Sequence, residues 1–181
     1  IGDVRTGTIS FEGCRKVPED YFASLSDSRK PRRGDLLYTV TGSFGIPVLV
    51  TTDQPFCVQR HIAILRPAPE TDVRYLRHAL ATSMSFAQAA AIATGTAQKT
   101  VPLRGLRRFA IPIPPLAEQR RSSDTVEALS SVLAFTEDRV ASYQMRIARL
   151  RQSILKWAFE GRLVQPATEQ ALVEADPAGS R

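Results

Sequence analysis

The stretch 114-PPLAEQRRSSDTVEALSSVLAFTEDRVASYQMRIARLRQSILKWAFEG-161 decides the architecture. Beyond the Pro114-Pro115 breaker, Val126, Leu129, Leu133, Thr136, Val140, Tyr143, Ile147, Leu150, Ile154 and Trp157 follow at alternating steps of three and four, and nine of these ten are apolar. An apolar repeat averaging 3.5 residues keeps one seam on one side of a helix, which is the pattern of a coiled coil. It predicts a helix of about 45 residues, roughly 65–70 Å long at about 1.5 Å per residue. Gly161 is the expected stop just past its end. A globular domain of about 115 residues has a radius of gyration near 13 Å, so the seam outruns any surface the rest of the chain could offer it. A second helix must come from elsewhere.

Outward from this helix, towards the N-terminus, the pattern changes to short apolar runs broken by Gly and Pro. The runs 35-DLLYTV-40, 46-IPVLVT-51, 61-HIAIL-65 and 109-FAIPI-113 read as strands. Between them one helix is expected from Asp72 to about Ala93, with Asp72 as N-cap and Leu76, Leu80, Met84, Ala87 and Ala91 on its apolar face. The fold class is therefore α+β: a mixed, sheet-containing domain over 1–115, a long heptad helix over 116–162, and a tail over 163–181. The tail shows no clear period and reads as a turn or two followed by disorder. No run approaches the roughly 20 apolar residues of a membrane span, and Ile1 has no charged-then-apolar leader behind it, so the chain reads as an internal fragment.

Of 181 residues, 43% are apolar, enough for a substantial core, and 24 Lys+Arg against 18 Asp+Glu give a formal charge of +6. The excess is not spread evenly. Residues 1–60 hold eight bases and seven acids, 61–115 hold seven and two, and 116–181 hold nine and nine. From Val73 to Ala117 there is no acid at all, while Arg74, Arg77, Lys99, Arg104, Arg107 and Arg108 fall there. A generic solvated face interleaves both signs, whereas a phosphate-binding face does not. A polyanion is the partner this distribution favours.

The same residues argue against catalysis. Cys14 and Cys57, with only His61 and His78 beside them, cannot supply a four-ligand zinc site, and two unpaired cysteines fit a reduced, cytoplasmic protein. There is no phosphate-binding Gly-x-x-x-x-Gly-Lys-Ser/Thr loop and no His-Glu-x-x-His helix. The segment 42-GSFG-45 is too short for a dinucleotide fingerprint and reads as a tight turn between strands. Pro114-Pro115 follows Ile113, unlike the Asn- or Asp-opened Pro-Pro loop of amino-methyltransferases. Asp35 and Glu12 lack a lysine at nuclease spacing, His61 reads as a packed strand residue, and Cys57 as a small core residue.

The segments 33-RGDLLYTVTGSFG-45, 59-QRHIAILRP-67, 94-TGTAQKTVPLRGLRRFAIPIPPLAEQ-119 and 151-RQSILKWAFEGRLV-164 resemble, in order and approximate spacing, the specificity (S) subunit of type I restriction-modification systems. The specific part is Pro-Ile-Pro-Pro-Leu-x-Glu-Gln opening a heptad helix that ends Ser-Ile-Leu-x-x-Ala-Phe-x-Gly-x-Leu. The resemblance implies a target recognition domain followed by one conserved helical spacer. Members usually carry two such units with antiparallel helices, each domain reading half of a bipartite site in double-stranded DNA. Here one unit is present, and it begins partway through the recognition domain, so the long helix implies a homodimer. It also implies modification subunits that use S-adenosylmethionine and a restriction subunit that uses ATP and Mg²⁺, with no cofactor or metal bound by this chain.

On that resemblance, the DNA-binding candidates fall in four places. The loop 94-TGTAQK-99 offers Thr94, Gly95, Thr96, Gln98 and Lys99, whose hydroxyls, amide and cation suit a groove. Arg104, Arg107, Arg108, Arg32 and Arg33 are phosphate candidates, and Ser43 sits in a second turn. The seam residues Val126, Leu129, Leu133, Val140, Tyr143, Ile147, Leu150, Ile154 and Trp157 are the partner surface. Two other classes compete with non-catalytic DNA recognition. One is a coiled-coil interaction scaffold that has lost DNA binding; the other is a methyltransferase in its own right, against which the missing adenosylmethionine motif argues.

Overall fold

A computed structural model describes residues 7–163 and divides the chain into two compact units, Ile1–Glu127 and Ala128–Arg181. The tail expected over 163–181 lies, past Leu163, outside the described residues. In the first unit a short helix α1 (Glu19–Ser24) and a 3-10 turn (Asp27–Arg29) precede three strands, β1 (Leu36–Thr39), β2 (Pro47–Leu49) and β3 (Ile62–Leu65). Helices α2 (Val73–Leu80), α3 (Ser83–Ile92) and α4 (Leu103–Leu106) follow, and α5 (Leu116–Phe159) closes the order.

The sheet has order β2-β1-β3 with both pairings antiparallel, Leu37 lying opposite Val48 on one side and Ile64 on the other. Because β1 is central, it is buried on both faces, and the period-2 alternation of a strand sends its side chains into two cores. Leu36, Tyr38 and Val40 join Ala63, Leu80, Ala89, Val101 and Leu106 under the helices. Leu37 joins Val48, Val50, Phe56 and Val58 on the opposite face, with Ile9 and Phe11 packed against them. The turn 42–45 connects β1 to β2, with Gly42 and Gly45 at φ +73 and +93.

Two expectations are corrected. The single helix over 72–93 is two helices. Thr82 leaves helical geometry (φ −72, ψ 155), and its Oγ1 accepts from the Ser85 N–H as a new N-cap. The Thr82 and Ser85 hydroxyls both donate to the Ala79 carbonyl at 2.7 Å, satisfying an acceptor that the end of α2 leaves free. The break shifts the helical phase, so α3 turns Ser85, Ala89 and Ile92 inward, while Met84, Ala87 and Ala91 face outward. Asp72 caps α2 as expected, accepting from the Arg74 and Tyr75 N–H groups.

The second correction concerns 109-FAIPI-113, which is not a strand. Its Phe109 and Ile111 do pack on the core, so the apolar alternation is real. The backbone partner is instead a side chain. Gln88 accepts from the Ala110 N–H at 2.8 Å and donates to the Ala110 carbonyl at 3.0 Å, filling the two bonds that a neighbouring strand would supply. Pro112, Pro114 and Pro115 carry no N–H to extend a ladder.

Helix α5 has 44 residues, about 66 Å at 1.5 Å per residue. It ends on Gly161 at φ +69, with Arg162 N–H donating to the Trp157 carbonyl and Gly161 N–H to that of Ala158. These are the two bonds of a Schellman cap. Its first three turns, through Glu127, belong to the first unit. There Gln119 is buried, accepting from the Asp72 N–H at 2.9 Å and donating to the carbonyls of Pro114 (2.8 Å) and Glu70 (3.3 Å). Among the described residues no helix is long and apolar enough to cross a membrane.

Candidate nucleic-acid interface

Two of the four predicted DNA-binding places lie side by side. Strand β1 runs into the turn 42–45, and the chain leaving α3 forms the loop 94–99. The Gly42 N–H donates to the Lys99 carbonyl at 2.9 Å, and Val101 N–H to the Val40 carbonyl at 2.7 Å. The loop is closed at its own base, where Thr94 and Thr100 exchange N–H···O bonds of 2.9 and 2.8 Å. Between these bonds, Thr94, Gly95, Thr96, Gln98 and Lys99 are exposed, and so is Ser43 across from them. Gly95 has φ +107, and a Cβ there would meet the Gln98 carbonyl oxygen at 2.5 Å, so this turn requires glycine. The Ser43 carbonyl accepts from Thr39 Oγ1 at 2.8 Å, and Phe44 stacks on Phe86 with ring centres 5.4 Å apart. Both loops are therefore rigid at the root with polar side chains exposed at the tip.

The third place is separate. Arg32 and Arg33 precede β1, whereas the turn 42–45 follows it. Arg32 pairs with Asp27 and Arg33 with Asp53, each at 2.7 Å, the latter fork-like through Nε and Nη2. Hydrogen bonding to Asp53 raises the Arg33 pKa and the same bond lowers that of Asp53. Exposed pairs of this kind contribute little to stability and open at small cost, but each arginine must release a carboxylate before it takes a phosphate.

The acid-free stretch 73–117 does not form an acid-free face throughout. Arg74 reaches Asp124 at 2.8 Å and Glu127 at 3.2 Å, and Arg77 reaches Glu127 at 3.4 Å. The first turns of α5 thus neutralise the α2 arginines. His78 also lies 3.7 Å from Glu127, but burial and then the Arg77 charge lower its pKa, so it is neutral near pH 7. Burial pushes the Asp72 carboxyl up, yet the Tyr75 N–H and the Arg74 charge and N–H outweigh this and hold it below its ordinary value.

Arg104 and Arg108 rim an apolar cleft of about 660 Å³ with Gln88, Ile92 and Phe109, and Arg107 lines a second cleft on β3. Sequence reasoning missed that this second cleft brings Arg107 to Arg29 and Arg60. Both belong to the nearly neutral first third of the chain, and no local pattern marks them. Among the described residues no cluster of His, Cys, Asp and Glu could hold a metal ion. The nine apolar seam residues of α5 are all exposed on the chain, and Arg139 bonds to the Tyr143 hydroxyl at 2.7 Å while lying over its ring.

The type I restriction modification DNA specificity domain family matches residues 4–142. Over 164 residues the chain is 27% identical to the type I restriction enzyme EcoBI specificity subunit of Escherichia coli, covering 90% of this chain and 34% of that one. A solved structure concerning complex assembly and conformational transition of the type I R-M system superposes with a TM-score of 0.63 at 25% identity, over 76% of this chain and 33% of its own. The HsdS subunit from Thermoanaerobacter tengcongensis shares the fold at a TM-score of 0.58 and 22% identity, over 72% and 35%. The chain spans about a third of the length of each.

Proposed function

Because the chain belongs to the type I restriction-modification DNA specificity family, we propose that it recognises one half of a bipartite site in double-stranded DNA, without catalysing a reaction itself. The observation that carries this reading is the pairing of two short polar loops at one end of the sheet, joined by the Gly42–Lys99 bond. Loops fixed at the root and exposed at the tip can present Ser43, Thr96, Gln98 and Lys99 to base edges at little entropic cost. Arg104, Arg107 and Arg108, a few residues after the second loop in the chain, supply sequence-independent phosphate affinity. Arg32 and Arg33 join them by exchanging their carboxylates for phosphate.

Helix α5 pairs antiparallel with a second spacer helix through Val126, Leu129, Leu133, Val140, Tyr143, Ile147, Leu150, Ile154 and Trp157. That helix comes from another copy when a single unit is present. The paired helices also dock modification subunits, which bring S-adenosylmethionine, while a restriction subunit brings ATP and Mg²⁺. The exposure of the whole apolar seam supports this, since leaving nine such side chains in water is unfavourable.

The deciding experiment is selection from a random duplex pool with the full-length chain assembled with co-expressed modification subunits. A defined half-site should enrich, and Gln98→Ala should change which sequence enriches. Enrichment of no sequence would overturn the reading in favour of an interaction scaffold.

A further inference from the structure

The cations of the first unit fall into two populations according to what holds them. Arg32, Arg33, Arg66, Arg74 and Arg77 are engaged by carboxylates, and Lys30 by the Ala23 carbonyl and the Phe22 ring. Arg15, Lys16, Arg29, Arg60, Lys99, Arg104, Arg107, Arg108 and Arg120 are exposed and, among the described residues, have no side-chain ion pair or hydrogen bond. Five of these, Arg15, Lys16, Arg29, Arg60 and Arg107, line two adjoining clefts. One, of about 700 Å³, takes in Arg15, Lys16, Arg29 and Arg60; the other, of about 420 Å³, takes in Arg29, Arg60 and Arg107. They share Arg29, Val58, Gln59 and Arg60, and no aspartate or glutamate lines either one.

From this juxtaposition, and resting on the DNA reading above, we infer that the two clefts form one groove that holds the phosphate backbone, leaving base reading to the loops 42–45 and 94–99. Strand pairing puts the groove beside those loops. The Val40 N–H donates to the His61 carbonyl at 2.9 Å, so Arg60 and His61 flank the strand end from which the turn 42–45 departs.

The walls are also fixed before any ligand arrives. Val58 N–H donates to the Arg29 carbonyl at 3.2 Å, and Arg66 donates to the Asp27 carbonyl at 2.7 Å and to that of Lys30 at 3.2 Å. Across the groove, Phe11 packs edge-on against Phe56, and the turn at Gly13 (φ +65) leads from it to Arg15 and Lys16. Five like charges held together without a counter-charge repel one another, and a polyanion relieves that repulsion. A small anion engages two or three cations; a row of five along two joined clefts fits a chain of phosphates.

The test is salt-dependent duplex binding by the full-length chain assembled with its modification subunits, on the selected site and on a scrambled duplex. Each lost phosphate contact lowers the slope of log K against log salt by about 0.9, so Arg29→Ala with Arg60→Ala should flatten it by about 1.8. Affinity should fall about ten- to a hundredfold at 0.1 M salt, equally for both duplexes, while Arg29→Lys with Arg60→Lys keeps the slope. Wild-type binding with an unchanged slope in the alanine variant overturns the groove alone, as does a changed sequence preference at constant slope. A wild-type assembly that retains no duplex, or prefers single strands or RNA, overturns the DNA reading and the groove with it.

Discussion

Gln119→Leu is the perturbation that most directly probes how the start of the long helix is held within the first unit. The Gln119 side chain is 1% exposed and serves three backbone groups, the Asp72 N–H and the carbonyls of Pro114 and Glu70. Leucine has similar volume, so little cavity is left, and the cost comes from polar groups stripped of partners. A buried group left unsatisfied costs about 1–3 kcal/mol. Two such groups, at the 2.9 and 2.8 Å bonds, lose a well-formed partner, while the 3.3 Å contact contributes less. Partly offset by the apolar gain of leucine, the sum is about 3 kcal/mol, or roughly 6–12 °C in Tm for a chain of this size. Thermal unfolding followed by circular dichroism reads this directly. Gln119→Glu sharpens the test, because it keeps the acceptor for Asp72 but turns an ionised oxygen towards the Pro114 carbonyl. Burial raises such a carboxyl's pKa in the folded state, so this variant should be destabilised at neutral pH and regain stability as pH falls and the group protonates. A Gln119→Leu loss under about 1 kcal/mol, or a Gln119→Glu variant as stable as wild type at neutral pH, would mean that water replaces the side chain and the clamp is not structural.

Three further outcomes follow from named residues. Burial and the Arg77 charge depress the folded His78 pKa below 6.5, so stability should be full above that pH and fall as pH drops through the folded value; His78→Gln should flatten this part of a stability-pH profile. Ile147→Asp with Leu150→Asp should desolvate two charges in the proposed helix pair and dissociate it, seen as halved mass in light scattering, and a wild-type chain that is monomeric at high concentration would contradict the pairing. Four residues inserted within 136–142 lengthen α5 by about 6 Å while nearly keeping its seam, so methylation-site mapping should show a spacer longer by one or two base pairs with unchanged half-sites.

The parts of this fold legible in the sequence are those where one signal repeats. Five heptads specify α5 nearly to its end, and the buried strand run around Leu36–Thr39 is continuous and bounded by turns. The break at Thr82 was not legible, because threonine is tolerated within helices and its capping role depends on Ser85 and Ala79 in three dimensions. The run at Phe109 misled for a different reason: the alternation reports burial, whereas strand identity depends on the hydrogen-bond partner, here Gln88 from 22 residues away. The site divides in the same way. Polar loop composition marked Thr94–Lys99, but nothing local distinguishes an arginine that has found a carboxylate from one that has not. Arg33 meets Asp53 across 20 residues and Arg74 meets Asp124 across 50, while Arg29 and Arg60 remain free amid acids that pair elsewhere.

The reciprocal bonds between Thr94 and Thr100 make the segment between them an exchangeable cassette. Because the closure is made by backbone atoms and backed by the Gly42–Lys99 bond, the side chains between can change without disturbing the sheet, provided the turn keeps its glycine at Gly95. Lengthening is inexpensive as well, since doubling a closed loop costs only about 0.6 kcal/mol in chain entropy. If the loop reads bases as proposed, new DNA preferences can arise, in evolution or in a combinatorial library, by replacing a handful of codons while the scaffold stays as it is.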